Sequence, residues 1–503
     1  WDGGMQLVPY RNRKNEEYGV DTFHADKYAP AMWGLVLSLP KKRLFMLSKV
    51  ADPGEEVKPP SSSTHPIDDS ISARQLTAGD GKLYCAAPEG LAHWGIYQHD
   101  FETGRSRLLK GAFEARPHEL FYWNGKLLFS TSDSSLWIWD GNEVEQLQSI
   151  KKRGGKAAAQ FTAFEDEVYF VSPPSRKPAM GGELWKTDGT LEGTVKVKDG
   201  LWMLLGGSKS WQSNVGHARS LQVAMGKLFF ATCETDPSGK PLSRQFGLWT
   251  SNGTTESTVR LLEAPLTVVA TDHHNSLYGS YIGIEYDERL YFSAGGYLWE
   301  SDGTPDGTVK SPLKIRSPNH FAISQDRLVF NGRSMSSPRR ASGAELIIYR
   351  GVGSESNRFP TGAKRLRQLT AVAGSESFYF AGDDGQHGEE LWVSDGSPNG
   401  TRMVKDLNPG SYGAMIDNLV ALDGHLYFSA TDRQSGNELW RTGKVKGEPE
   451  VADLIPGSNG SFPSQFTTDD GRLFFYTTGR AQNRQLWQYE PGGASAAPIF
   501  GTN

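Results

Sequence analysis

The 503-residue chain has only two cysteines, Cys85 and Cys233. They fall in the second strands of two different, non-adjacent repeats, which reads as free buried thiols rather than a disulfide. No CxxC or Cys/His spacing offers a metal site. No apolar run reaches about 18 residues, so no membrane-spanning helix is expected. Basic residues are not in excess: 53 Lys and Arg stand against 58 Asp and Glu, a net charge of −5. That balance removes the electrostatic case for a nucleic-acid partner. Catalytic signatures are missing as well. There is no GxSxG elbow and no HExxH, and Gly206-Gly207-Ser208 is not followed by the Lys-Ser/Thr of a phosphate loop. Asp and Glu are scattered across turns, so no carboxylate pair can be nominated for glycoside hydrolysis. The chain opens at Trp1 with neither Met nor a signal peptide and reads as a mature or trimmed product.

Glycine (57 residues) and aromatics (11%) are plentiful, and both are organised. The stretch GEELWVSDGSPNGTRMVKDLNPGS (388–411) reads as a strand at 390–394, an Asp395-Gly396 turn, and a strand at 402–407. Asp-Gly between two β-rich runs signals a hairpin, because Gly reaches positive φ without a Cβ clash. The phrase recurs as GGELWKTDGTLEGTVKVKDG from Gly181, FGLWTSNGTTESTVRLLE from Phe246 and GGYLWESDGTPDGTVK from Gly295, and in shortened form from Asn437. A second phrase, a DGK-type turn leading into an apolar LYFSA-like strand, begins at Lys41, Asp80, Asn124, Glu165, Met225, Asp287, Gln325, Ser375, Asp423 and Asp470, ten copies in all. Short apolar strands such as LTAV (369–372) precede most of them.

Each unit thus has four strands, A to D, with A–B and C–D joined by tight turns. Repetition of such a unit predicts an all-β fold, a β-propeller of four-stranded antiparallel blades. Eight to ten blades are expected, ten by literal count, as a single body over residues 1–503. The repeats occupy 31–503. The first 30 residues, whose WDGGMQLVP resembles WDGNEVEQL at 139–147, are read as completing a blade begun elsewhere. The apolar B strands fit burial on both faces. The tryptophans recurring in strand C (Trp185, Trp249, Trp299, Trp392, Trp440 and Trp487) read as wedges between blades rather than ligand platforms. The turn aspartates Asp188, Asp302 and Asp395 are expected to bind their own turn backbone rather than calcium, and no cofactor is expected.

The ELWxSDGTxxGTxxVKD hairpins resemble the ELWxxDGT repeats of bacterial, exported proteins. Four units match well, and the related LYFSA strands cover most of the chain. The resemblance implies an extracytoplasmic propeller and no single activity.

Topology places A–B and C–D turns on one face, B–C and D–A connections on the other. The long irregular connections, 172–182, 201–220, 233–247, 264–281 and 331–344, all belong to that second face and to consecutive units. They carry Arg176, Lys177, Lys209, Trp211, His217, Lys240, Arg244, His273, His274, Tyr278, Tyr281, Arg333, Arg339 and Arg340. A cationic, aromatic sector on an acidic protein suggests an anionic glycan or a protein partner. The reading is a noncatalytic binding or scaffold module of the cell surface or a secreted assembly. The competing reading is a polysaccharide lyase. Some lyases acting on uronate-containing glycans are propellers that use His and Tyr as base and acid, with Arg neutralising the carboxylate. By that analogy His273 or His274, Tyr281 and Arg244 would be its residues.

Overall fold

A computed structural model describes the backbone of Gln6–Pro9, Val36–Leu39 and Arg43–Ser48. From residue 76 to 498 it describes all but 90–91, 101, 104, 134, 150–157, 173–180, 199–202, 205–220, 236–240, 263–282, 336–342, 443–447, 453, 456, 470, 479–483 and 490–496. The chain divides into two compact units, Trp1–Ser63 and Thr64–Asn503. In the first, Gln6–Pro9 pairs antiparallel with Arg43–Ser48, which also pairs with Val36–Leu39. The N-terminal strand therefore joins the sheet of the first repeat.

The second unit is a β-propeller. Among the described residues every element is a strand, and there is no helix that could cross a membrane. Runs of four consecutive strands pair in sequence order. Arg365–Ala371, Phe378–Asp383, Glu389–Ser394 and Arg402–Met403 form one such sheet. Between 159 and 262, and between 283 and 360, two runs merge into a larger sheet, through Met203–Leu204 in one and the Tyr297↔Arg316 pairing in the other.

The A–B turns are set by two residues with positive φ, as in Asp80 (51°) with Gly81 (67°) and Asp423 (48°) with Gly424 (73°). Two positive φ values in a two-residue loop match the right-handed twist of the flanking strands, which is why the phrase is Asp-Gly or Asn-Gly. The apolar B strands alternate between two cores. Phe378 and Phe380 pack toward the preceding repeat with Val329 and Leu346, while Tyr379 and Ala381 pack toward the following one with Leu426 and Phe428. Burial on both faces explains the continuous apolar run. The same packing joins the last sheet to the first. Leu76, Leu83, Cys85 and Ala87 share a cluster with Phe474, Tyr476 and Leu486, which closes the ring within this unit.

The strand C tryptophans are structural. Each sits directly opposite a B-strand phenylalanine: Phe170↔Trp185, Phe230↔Trp249, Phe292↔Trp299, Phe380↔Trp392, Phe428↔Trp440 and Phe475↔Trp487. The indole N–H of Trp392 donates to Gly382 O at 3.1 Å, and that of Trp440 to Ala430 O at 3.1 Å. The turn aspartates also act locally. Asp188 Oδ1 accepts from the Thr190 amide (2.8 Å) and hydroxyl (2.7 Å), and Asp302 and Asp395 repeat the pattern with Thr304 and Ser397. The Thr190 hydroxyl and amide hold the Asp188 carboxyl below its ordinary value.

Candidate binding face

Polar residues on the inner strands lock neighbouring repeats together. Glu119 accepts from the backbone N–H of Gln160 (2.8 Å) and Phe161 (3.3 Å) in the next inner strand. Gln222 exchanges both of its amide functions with Gly283, and Gln368 donates to Asp417. These bonds stand in for the strand ladder that adjacent blades lack. Gln160, Gln368, Asn418 and Gln465 adopt φ of 63°, 55°, 55° and 59° at the register shift of each of these inner strands. All but Gln465 make such interstrand bonds, Asn418 through its amide to Pro463 O.

In two successive sheets the glutamate of the ELW phrase grips the D–A connection. Glu390 is fully buried and accepts from the backbone N–H of Leu407 at 3.0 Å and Asn408 at 3.2 Å. Burial pushes its carboxyl up to about 7, helped by the charge of Asp406, while the two backbone donors pull it back. Glu438 repeats the arrangement with the N–H of Leu454 (3.2 Å) and the hydroxyl of Ser461 (2.5 Å), and burial raises it too. Arg367 adds a bidentate pair to Glu389 (2.6 and 2.5 Å) and donates to Ile416 O at 2.9 Å, and Ala414 N donates to Glu389 O at 2.8 Å. The connection also passes against the B–C turn so closely that a Cβ on Gly388 would lie 2.4 Å from Gly413 N.

These pinned loops present apolar side chains to solvent. Tyr412 is 84% exposed, Met415 56% and Phe462 50%. Met415 and Phe462 occupy equivalent places in two successive repeats, both in the left-handed region at φ 52° and 51°. A non-glycine residue held there costs about 1–2 kcal/mol, offset by the hydrogen bonds around it. The three residues were not among those nominated from the sequence. Their signal is an apolar residue inside Gly/Ser/Asn-rich turns, NPGSYGAM (408–415) and IPGSNGSF (455–462).

Of the nominated residues, Arg333 lies on Leu328–Ser334, partly buried and opposite Arg316, whose guanidinium donates to Ser334 O at 3.2 Å. Arg244 is placed by backbone on Pro241–Ser251. Arg176, Lys177, Lys209, Trp211, His217, Lys240, His273, His274, Tyr278, Tyr281, Arg339 and Arg340 lie outside the described residues. The convergence of His273, His274, Tyr281 and Arg244 that a lyase needs therefore falls outside them too. Among the described residues no group of three His, Cys, Asp or Glu is arranged to hold a metal ion.

No protein-family model matches the chain, and no curated protein is similar to it in sequence. Solved structures are similar at low identity. The β-propeller domain of the Trilobed protease from Pyrococcus furiosus is 12% identical with a TM-score of 0.34, covering 69% of this chain and 98% of its own. BamB from Moraxella catarrhalis is 9% identical with a TM-score of 0.40, covering 84% and 98%. The computationally designed Ika8 protein is 12% identical with a TM-score of 0.40, covering 84% and 97%.

Proposed function

We propose that this chain is a noncatalytic binding or scaffold module, working outside the cytoplasm, whose loop face docks a protein partner. The observation that carries this reading is the set of D–A connections around Tyr412, Met415 and Phe462. Buried glutamates fix the backbone of these loops while large apolar side chains point outward. Rigid loops that spend strain to expose apolar groups are a binding design, because a pre-ordered surface loses little entropy on association. The sequence places the basic connections 172–182, 233–247 and 331–344 on the same face, which adds an anionic glycan as a second ligand class. The exported-repeat resemblance of the hairpins supports the extracytoplasmic setting.

The test is retention of proteins from the extracytoplasmic fraction of the source cells on immobilised protein. Wild type and the triple variant Tyr412→Ser, Met415→Ser, Phe462→Ser are compared at equal melting temperature. A partner held by wild type should be lost from the triple variant. Leu191→Ser removes an exposed apolar side chain from the opposite, C–D face and should change nothing. Identical retention by wild type and the triple variant would overturn the proposal.

A further inference from the structure

The ring closes where the last sheet of the second unit meets its first, and two of the ties found elsewhere are missing there. The last sheet is built from Ser464–Asp469, Arg472–Thr478, Arg484–Tyr489 and Ala497–Pro498, the first from Leu76–Gly79, Lys82–Glu89, His93–Asp100 and Arg105–Phe113. Each uses consecutive strands, so among the described residues no exchanged strand clasps the ends. The inner-strand lock is absent as well. Gln465 Oε1 is buried and no donor among the described residues reaches it, whereas Gln368 bonds both the Asp417 carboxylate and the Leu419 N–H. The ends meet in the cluster of Leu76, Leu83, Cys85 and Ala87 with Phe474, Tyr476 and Leu486.

That cluster is packed with an exchange of sizes. In the B strand of every other repeat of this unit, the residue turned toward the preceding repeat at this level is a phenylalanine no more than 1% exposed, as in Phe129, Phe380 and Phe428. In the first sheet it is Cys85. The residue after it points the other way, toward the following repeat. It is alanine, serine, valine or asparagine in every other repeat, as in Ala86, Val171 and Ala381. In the last sheet it is Tyr476, also buried. Each internal seam therefore sets a large residue of the later repeat beside a small one of the earlier, and the closing seam reverses them. Protein interiors are packed closely enough that one misplaced methylene is felt. Tyr476 would overpack against a phenylalanine face, and Cys85 would leave a hole against a small one.

We propose that the Tyr476–Cys85 exchange is the key that closes this ring. The last sheet fits the face of the first and none of the others, so closure takes in every repeat from residue 76 onward. Steric mismatch against the wrong faces supplies the selectivity that an exchanged strand would otherwise give. The two end faces are complementary but different. When they fail to meet within one chain they are free to meet between chains, head to tail.

A double-mutant cycle tests the assignment, with Cys85→Phe, Tyr476→Ala and the two together compared with wild type by urea unfolding and light scattering. The double variant restores the arrangement of the internal seam between Ala381 and Phe428. Cys85→Phe should lower the urea midpoint by overpacking and should populate head-to-tail oligomers. Tyr476→Ala should lower the midpoint by leaving a cavity. The double variant should recover the monomer and most of the lost midpoint. Ala381→Tyr overpacks an internal seam and should lower the midpoint while staying monomeric, because the chain still joins its neighbours. Should Cys85→Phe fail to fold, folding of the double variant is itself the rescue. The proposal is overturned if Cys85→Phe remains a monomer, or if the two losses simply add in the double variant. It is equally overturned if the double variant fails to fold, or if Ala381→Tyr associates as Cys85→Phe does.

Discussion

Glu390→Gln probes how the D–A connection is held. Glu390 is buried against the backbone donors of Leu407 and Asn408, and its carboxyl rises from an ordinary 4.5 to about 7. Because the folded value lies above the unfolded one, the folded protein binds the extra proton. The associated stability is fully present below about pH 4.5 and is lost as pH rises through about 7. At about 1.4 kcal/mol for each pH unit, the gap amounts to about 3 kcal/mol. Asp406 faces the same carboxyl and contributes to the rise, and His387, paired with Asp384 at 2.8 Å and raised by that bond, lies nearby. Glutamine keeps one acceptor oxygen and never ionises. It leaves one backbone donor short of a partner, a constant cost of about 1–3 kcal/mol, and removes the pH-dependent loss. Urea unfolding of both proteins at several pH values between 4.5 and 8 reads this directly, since titrating groups that do not interact with Glu390 cancel in the difference. The variant should be less stable than wild type at pH 4.5, and the deficit should shrink or reverse by pH 8, a swing of about 3 kcal/mol. A difference that stays flat across that range would refute the buried, proton-binding role of Glu390.

Other consequences can be checked by melting or by assay. Gly400→Ala brings a Cβ to 2.0 Å from the Asp395 carboxylate and should cost about 1–3 kcal/mol in urea unfolding, partly recovered by adding Asp395→Ala. Ser461→Ala removes the 2.5 Å hydroxyl bond to buried Glu438 and should cost about 1.5–3 kcal/mol by the same measurement. Trp392→Ala, which empties a buried site packed on Phe380, should cost about 3–5 kcal/mol and lower the melting temperature accordingly. A noncatalytic module should give no rise in absorbance at about 235 nm, where β-elimination products absorb, on any acidic polysaccharide; a rise lost in Tyr281→Ala would instead make it a lyase.

The fold was legible because its signals are local. Asp-Gly turns need positive φ, B strands buried on both faces read as unbroken apolar runs, and each Trp recurs at one register position opposite a Phe. The DGT aspartates were legible for the same reason, since their partners are two residues away. The loop face was harder to read. Glu390 looks like any charged residue in a half-exposed strand, yet it is buried and its partners are 17 and 18 residues downstream. Glu119 and Gln368, polar residues on the inner strands, bond the next inner strand more than 40 positions away. The shape of the D–A connections is thus fixed by non-local hydrogen bonds that periodicity does not encode. Composition drew attention to the long basic insertions, while the exposed Tyr412, Met415 and Phe462 are single apolar residues in short Gly/Ser/Asn-rich turns.

The most direct test of the loop-face claim is photo-crosslinking in the source cells. A photoreactive side chain is placed at Tyr412, at Phe462, or at Glu192, which is exposed on the opposite turn face. Docking on the loop face predicts one discrete adduct shared by the 412 and 462 positions and none from 192. Adducts from 192 alone, or equal labelling from all three, would contradict it.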